Sequence, residues 1–444
     1  MCGQRVGWIR PILLIGPNIL ESKRLYSKLA LHNVSVPSDK FRVRNMLPAR
    51  LEEVTLPRNM PVNKSTTAPI LETYPLRVTY DAQAVVAPDQ HIGKGIHLRN
   101  LLGSHIQQFV GIAPGGKQES SLPIVQRGFS NYLIWQQTSL PWVLFSLKPD
   151  VFLAPFNTAP LLFPERTKLL LIVHDLITFE QYRNVGIRFR WLLRYWRSLT
   201  SASIRRAFLI ITVSEYSREQ ILGRFPKARV VVLPNSISES WYVRQNAISV
   251  RDRENYILMV SAMSPHKNLD RGLQAYSAYV SDVGGSSADL WVVGISKTNA
   301  ANLQPRLREL GVSERVHFMP YLSEPELQRL YRKAKALLIP SLMEGFGIPV
   351  LEAMASGTPV ISSSATSLPE VGGAAPEYCD PYDAADICKV LTRVLADDDL
   401  RAGMAERGLS QAETFHPSII QNRINRFWTD LPNLNSQTPL SMDR

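Results

Sequence analysis

The chain has 444 residues, of which 45% are hydrophobic, enough for two domains with a sizeable core. Its three cysteines, Cys2, Cys379 and Cys388, fit neither a disulfide framework nor a metal cluster. No segment approaches the roughly eighteen uninterrupted apolar residues of a membrane span, and the early run Ile12 to Ile19 is broken by Gly16 and Pro17. No secretory signal is read there, and a reducing cytosol is the expected compartment. The net charge of +12, with a pI near 9.6, calls for an anionic partner: acidic lipid, nucleic acid or a small anionic substrate.

Residues 1–75 carry many prolines, little periodicity and a cluster of Arg42, Arg44 and Arg50, and read as a basic extension of doubtful order. The first strand is expected at Leu76 to Tyr80. A loop with Gly93-Lys94-Gly95 then opens a helix running from Ile96 through Val110, a turn at the carboxyl end of a first strand, where open α/β sheets bind ligands. Asp150 to Ala154 and Leu169 to Val173 are further apolar strands, and the second delivers His174-Asp175 to the same sheet edge.

From Arg183 to Arg206 there is no acidic residue, and seven arginines are interleaved with Phe189, Trp191, Leu192, Leu193, Tyr195 and Trp196. Such a helix suits the surface of an anionic bilayer, an inward-packed aromatic stripe with solvated arginines, or single-stranded nucleic acid, in that order of preference. Phe208 to Val213 is a strand followed by Ser214 as an N-cap, and Val230 to Leu233 leads to Pro234-Asn235. The polar stretch Ser238 to Asn255 reads as a linker.

Beyond it, Tyr256 to Val260 is a strand leading to Lys267-Asn268. Leu290 to Val293 and Val316 to Met319 are strands, and Ser323 with Glu326 is a capping box for a helix reaching Lys335. The alternation predicts a second parallel sheet with covered faces. Leu337 to Ile339 is a buried strand, and after it Glu344-Gly345-Phe346-Gly347 forms a loop, with Pro349 starting a helix that ends near Gly357. Uncovered backbone N–H groups at such a helix start favour an anion or a sugar hydroxyl. Glu344 on the loop and Glu352 one turn into the helix place two carboxylates over one site, suited to vicinal hydroxyls. Val360-Ile361 is the next strand, Ser367 and Glu370 a further capping box, and 383–395 and 400–413 are helices.

Glu344 and Glu352, with GFGIPVL between them, resemble the E-x7-E signature of the family 4 nucleotide-sugar glycosyltransferases. AMASGTPV after Glu352 and LPEVGG from Leu368 continue the resemblance, which covers roughly Leu76 to Trp428. It implies the GT-B fold: an α/β protein of two Rossmann-like doubly wound domains facing a central cleft. Residues 76–240 would bind the acceptor and 255–415 the nucleotide sugar. Residues 416–430 would be a closing helix returning to the first domain, and 431–444 a tail.

By the same resemblance Glu344 contacts the donor sugar, Glu352 holds the ribose, Lys267 holds the diphosphate, and Gly345, Phe346 and Gly347 line the donor. His174 is the active-site histidine, with Asp175 orienting it, and Gly93 and Gly95 form an acceptor or phosphate loop. Ser261 stands where many members carry an arginine, six residues before the lysine. The implied reaction moves a hexose, mannose among the options, with retention, to a glycan or lipid-linked acceptor in cell-surface polysaccharide synthesis. It needs no metal and no cofactor beyond the nucleotide-sugar substrate. Nucleic acid is not expected as a partner, and the expected location is the inner face of the cytoplasmic membrane. Two rival classes share the fold: a sugar-nucleotide epimerase or phosphorylase, and a catalytically silent member.

Overall fold

A computed structural model describes residues 76–86, 92–115, 122–179, 187–243 and 248–434. The expectation for residues 1–75, the position of Arg183 and the tail beyond 434 lie outside the described residues.

Two parallel sheets organise the chain. The first has seven strands: β1 (Val78–Asp81), β2 (Val110–Ala113), β3 (Ile124–Gln126), β4 (Val151–Ala154), β5 (Lys168–Ile172), β6 (Leu209–Thr212) and β7 (Val230–Val232), in the order β3-β2-β1-β4-β5-β6-β7. The second has six: β8 (Glu254–Val260), β9 (Asp289–Val293), β10 (Val316–Met319), β11 (Ala334–Ile339), β12 (Val360–Ser363) and β13 (Glu377–Cys379), in the order β10-β9-β8-β11-β12-β13. Every described pairing is parallel, as for example Leu337 against Val360 and Leu153 against Leu170. Strands β1, β4 and β6 are buried at all positions, the pattern of a sheet covered on both faces rather than of one face in water. Both sheets reverse direction beside their first strand, and there the carboxyl ends of the strands form ligand-binding crevices.

Several expected elements shift, each for a local reason. Gly93 and Gly95 do not form a loop; they lie in the first turns of the helix Ile92–Leu102. That helix packs so tightly on the turn before it that a Cβ on Gly95 would stand 2.8 Å from the carbonyl oxygen of Ala84. It does not reach Val110, because Gly103 at φ +49° breaks it into a 3-10 turn before β2. The helix predicted to reach Lys335 stops at Lys333, where the fully buried Ala334 and Ala336 belong to β11. The capping box that starts it, Ser323 with Glu326, forms as expected. The polar stretch 238–255 is not purely a linker, since Trp241 is buried in the core of the second half and Glu254 already belongs to β8.

The helix Pro417–Asp430 lies against elements of the first half. Trp428 is fully buried there, donating its ring N–H to the carbonyl of Leu101 at 2.6 Å and meeting Phe109 edge-on at 4.9 Å. Beyond it, Leu431 and Leu434 are also buried, so the stretch expected as tail begins as packed chain.

Candidate active site

On the second half, three strand ends converge. After β11, Glu344 is held by its own backbone N–H, which donates to Thr366 Oγ1 at 3.1 Å, and its carboxylate accepts a hydrogen bond from Lys267 Nζ at 2.7 Å. The pair is largely enclosed, with side-chain exposures of 21% for Lys267 and 12% for Glu344, so it is much less screened than a surface ion pair. Lys267 ends the 3-10 turn Pro265–Lys267 after β8. Asn268 follows at φ +57°, a left-handed conformation that asparagine tolerates, and donates through Nδ2 to the carbonyls of Pro340 and Pro381. The asparagine thus ties the turn carrying the lysine to the ends of β11 and β13.

Gly347 is the N-cap of the helix Ile348–Ala355 at φ +113°, a conformation other residues rarely adopt. Phe346 is buried against Phe415, ring centroids 5.5 Å apart, so its side chain belongs to the core and only its backbone faces the loop. Glu352, inside that helix, accepts a hydrogen bond from Tyr331 OH at 2.9 Å. Burial pushes its carboxyl up to about 8; the Tyr331 hydroxyl and the Lys267 charge oppose this, while Glu324 adds to it. Lys267 therefore acts electrostatically on both glutamates, and the structure brings together the three residues that the sequence singled out.

Across the crevice, His174 follows β5 and is buried. Its backbone N–H donates to Asn157 Oδ1 at 3.0 Å, and Asn157 Nδ2 donates to the carbonyl of Asp175 at 3.0 Å, from a backbone at φ +62°. His174 Nε2 lies 3.2 Å from the carbonyl oxygen of Pro155. A carbonyl only accepts, so Nε2 carries the proton and Nδ1 the lone pair. Burial holds the imidazole well below its usual range, helped by the neighbouring His97 and Lys94. Asp175 does not orient the ring as expected; its carboxylate accepts from the backbone N–H of Ile177 at 3.1 Å and closes the following turn.

Three groups at this edge, two of them buried, went unread in the sequence. His97 meets His174 edge-on at 5.2 Å and is linked by Nδ1 to Asn235 Oδ1 at 2.6 Å. Burial pushes it down to about 4. Asp81, at the end of β1, accepts from Tyr132 OH at 2.7 Å and from the backbone of Gln83, and burial raises its carboxyl to about 7. Lys94, between the two predicted glycines, sits 5.8 Å from the ring centroid of Phe156 and is felt by His174. The GKG segment thus reaches the predicted edge, but through a helical lysine rather than through loop backbone.

The two edges touch through Gly345. Ser214 Oγ donates to its carbonyl oxygen at 2.7 Å, and Ser217 Oγ lies 3.2 Å from the same oxygen and 3.3 Å from that of His174. Asp175, Tyr216 and Gln220 from the first half and Met343 and Glu344 from the second line one crevice. Two Rossmann-like sheets meeting at their carboxyl edges, with a lysine and two carboxylates on one side and a histidine on the other, form the arrangement of the GT-B fold.

Residues 244–411 match the family described as Glycosyl transferases group 1, and residues 103–241 match Glycosyltransferase Family 4. The chain belongs to the family 4 glycosyltransferases. Among curated relatives it is similar to O-antigen chain mannosyltransferase B of Escherichia coli, 32% identical over 50% of this chain and 61% of that one. It is also similar to O-antigen chain mannosyltransferase RfbU of Salmonella typhimurium, 34% identical over 43% of this chain and 51% of that one. The chain thus spans about half the length of these relatives. Among solved structures, Anabaena HepE in complex with UDP and glucose shares the fold, with a TM-score of 0.61 at 15% identity over 80% of this chain and 99% of that one.

Proposed function

We propose that the chain transfers a hexose, with mannose the first choice, from a nucleotide-diphosphate donor to a glycan or lipid-linked acceptor in cell-surface polysaccharide synthesis. The observation that carries this reading is the enclosed Lys267–Glu344 pair beside Glu352, set by Gly345 against His174. The names of the two mannosyltransferase relatives support the choice of sugar. Lys267 meets the diphosphate as a point charge, and the backbone N–H groups of 345–347 add partial positive charge at a helix start. Glu344 accepts hydrogen bonds from the sugar, and Glu352 from the ribose. The bond from the anomeric carbon to the diphosphate oxygen breaks, and the acceptor oxygen bonds the same face. The acceptor's proton passes to the departing phosphate oxygen, so the step balances without a protein nucleophile. Incubation with a panel of nucleotide-diphosphate hexoses and membrane lipid extract tests the reading: sugar released or interconverted without an acceptor would replace transfer by another reaction.

The roles of the two glutamates separate in binding. Glu352→Ala is expected to weaken the free nucleotide diphosphate about tenfold, the value of a charge-assisted hydrogen bond, while Glu344→Ala lowers turnover and leaves nucleotide affinity nearly unchanged. Because the free Glu352 carboxyl is held near 8, ribose binding at pH 7 ionises it and should release a proton, a release that fades as pH rises above 8. Titration calorimetry in buffers of different ionisation enthalpy reads both effects. Equal nucleotide affinity in wild type and Glu352→Ala would remove Glu352 from the site.

The helix Ile187–Arg206 supplies the second part of the reading, contact with an anionic membrane surface. Among the described residues no helix is long and apolar enough to cross a membrane. This one buries Leu193, Leu199 and Ile204 but leaves Trp191 64% exposed and Tyr195 45% exposed, beside Arg190 and Arg194. Arg194 lies over the Trp191 ring, 5.4 Å from its centroid. The helix is thus packed on one side and presents an aromatic, basic face on the other. Each such arginine contributes about 1 kcal/mol at an anionic surface, so Arg190→Gln/Arg194→Gln should weaken vesicle binding about tenfold or more. Arg197 is spared in this variant because it donates to the carbonyl of Thr178 at 2.6 Å. Co-sedimentation with vesicles of rising anionic content checks it; binding that ignores lipid charge would leave the helix an ordinary packed element.

A further inference from the structure

The segment Ser367-Leu368-Pro369-Glu370 has the spacing of a capping box, yet the box does not form. Ser367 Oγ turns instead toward the donor loop, within hydrogen-bonding reach of the carbonyls of Phe346 at 2.9 Å and Glu344 at 3.0 Å. Glu370 leaves its own helix and enters the first half. Its two carboxylate oxygens accept from the backbone N–H groups of Glu215 at 2.8 Å and Tyr216 at 3.1 Å. These are the first two amides of the helix Glu215–Arg224, which no intrahelical carbonyl can satisfy. The third, that of Ser217, is already taken by Ser214 Oγ at 3.1 Å. Glu370 thereby completes, from the opposite half, the cap of a helix whose start favours negative charge.

The contacts close a ring. From the donor loop the path runs through Ser367 to Glu370, across to Glu215 and Tyr216, and back through Ser214 and Ser217 to the carbonyl of Gly345. Ser217 also reaches the carbonyl of His174. We infer that Glu370 is a positioning residue for transfer: its carboxylate pins the helix after β6 to the donor loop and so fixes Gly345 against His174. The inference rests on the reading of that loop as the donor site. The Glu370 carboxylate is engaged by the amides of Glu215 and Tyr216 and not by Lys267, so it acts through geometry rather than on the donor.

Glu370→Gln is the sparing test, because glutamine keeps the size but offers one acceptor where two are used, and turns an N–H₂ toward an amide donor. The expected result is a fall in kcat of about tenfold with nucleotide-diphosphate affinity unchanged, since the misplacement is between halves and not within the donor site. Adding Ser217→Ala should then cost less than it does in the wild-type background, because both changes open one ring. Spin labels at Lys227 and Ala396, both exposed and one on each half, should report a broader distance distribution in Glu370→Gln. A wild-type rate in Glu370→Gln, nucleotide affinity falling in step with kcat, strictly additive losses or an unchanged distance distribution would each overturn the inference. Failure of the donor reading would be visible separately, as absence of nucleotide binding in the wild-type protein, while the distance measurement still judges the pin.

Discussion

Gly345→Ala is expected to lower transfer by about 100-fold, the cost of an ångström-scale misplacement between reacting groups, while leaving both halves folded. A Cβ on this residue would lie 2.2 Å from the carbonyl oxygen of His174 and 3.1 Å from its carbonyl carbon. Both are backbone atoms, so no rotamer change relieves the contact, and the obstruction is between the halves rather than within either. The backbone of Gly345 has no positive φ, so alanine brings no conformational strain of its own. The loop and the histidine must therefore separate, breaking the bonds from Ser214 and Ser217 to the Gly345 carbonyl. Circular dichroism and nucleotide titration should stay close to wild type while kcat collapses. A Gly345→Ala protein of normal turnover would mean that this contact is absent during the reaction. The same substitution at Gly347 would be a poorer probe, because its φ of +113° adds local strain and its Cβ would meet Leu368.

Lys267→Gln should weaken nucleotide-diphosphate binding by about 100-fold, the equivalent of losing one charge-assisted contact of 2–3 kcal/mol. Glutamine is preferred to alanine because Glu344, only 12% exposed, would otherwise be left enclosed without a hydrogen-bond donor from position 267. Removing one partner of an enclosed pair exposes the full desolvation penalty of the other, and stability would fall together with binding. The discriminating measurement compares the nucleoside diphosphate with the nucleoside. Affinity for the first should drop and for the second should not if the lysine, as proposed, meets phosphate alone. An equal drop for both would assign Lys267 to support of the loop rather than to the diphosphate. Ser261 sharpens this result: it is buried, and its backbone carbonyl lies where a Cβ on Gly294 would fall, 2.2 Å away. Serine at that position supplies no charge, so on the proposed reading a second cation or a helix start must share the diphosphate with Lys267.

The loop after β11 was readable because its signals are short and contiguous. Glu344, Gly347, Pro349 and Glu352 lie within one loop and two helical turns, so their order along the chain predicts the loop and the helix that carry them. Buried parallel strands such as β4 and β5 announce themselves as apolar runs, because both faces of the sheet are covered. The facing edge of the first half was only half readable. His174 was visible at the end of an apolar strand, but its backbone is held by Asn157, seventeen residues earlier, and its ring meets the carbonyl of Pro155, nineteen residues earlier. His97 owes its significance to Asn235, 138 residues away, and Asp81 to Tyr132, 51 residues away.

Local patterning sufficed for the class of fold and for ten of the thirteen described strands, since period, breaker residues and helix-start chemistry act over a few residues, while β2, β3 and β13 went unread. It misread Ser367 and Glu370, whose spacing is that of a local cap. Which acceptor or donor a side chain satisfies depends on what lies nearest once the sheets have assembled. Here the unsatisfied amides of a helix in the other half, at 2.8 and 3.1 Å, take the carboxylate that the local pattern assigned to its own helix. Residues far apart in sequence meet at a sheet edge because parallel topology gathers the carboxyl ends of many strands in one place. The partners of His174, of Asp81 and of Glu370 were set there, by proximity in space, and no spacing along the chain encodes it.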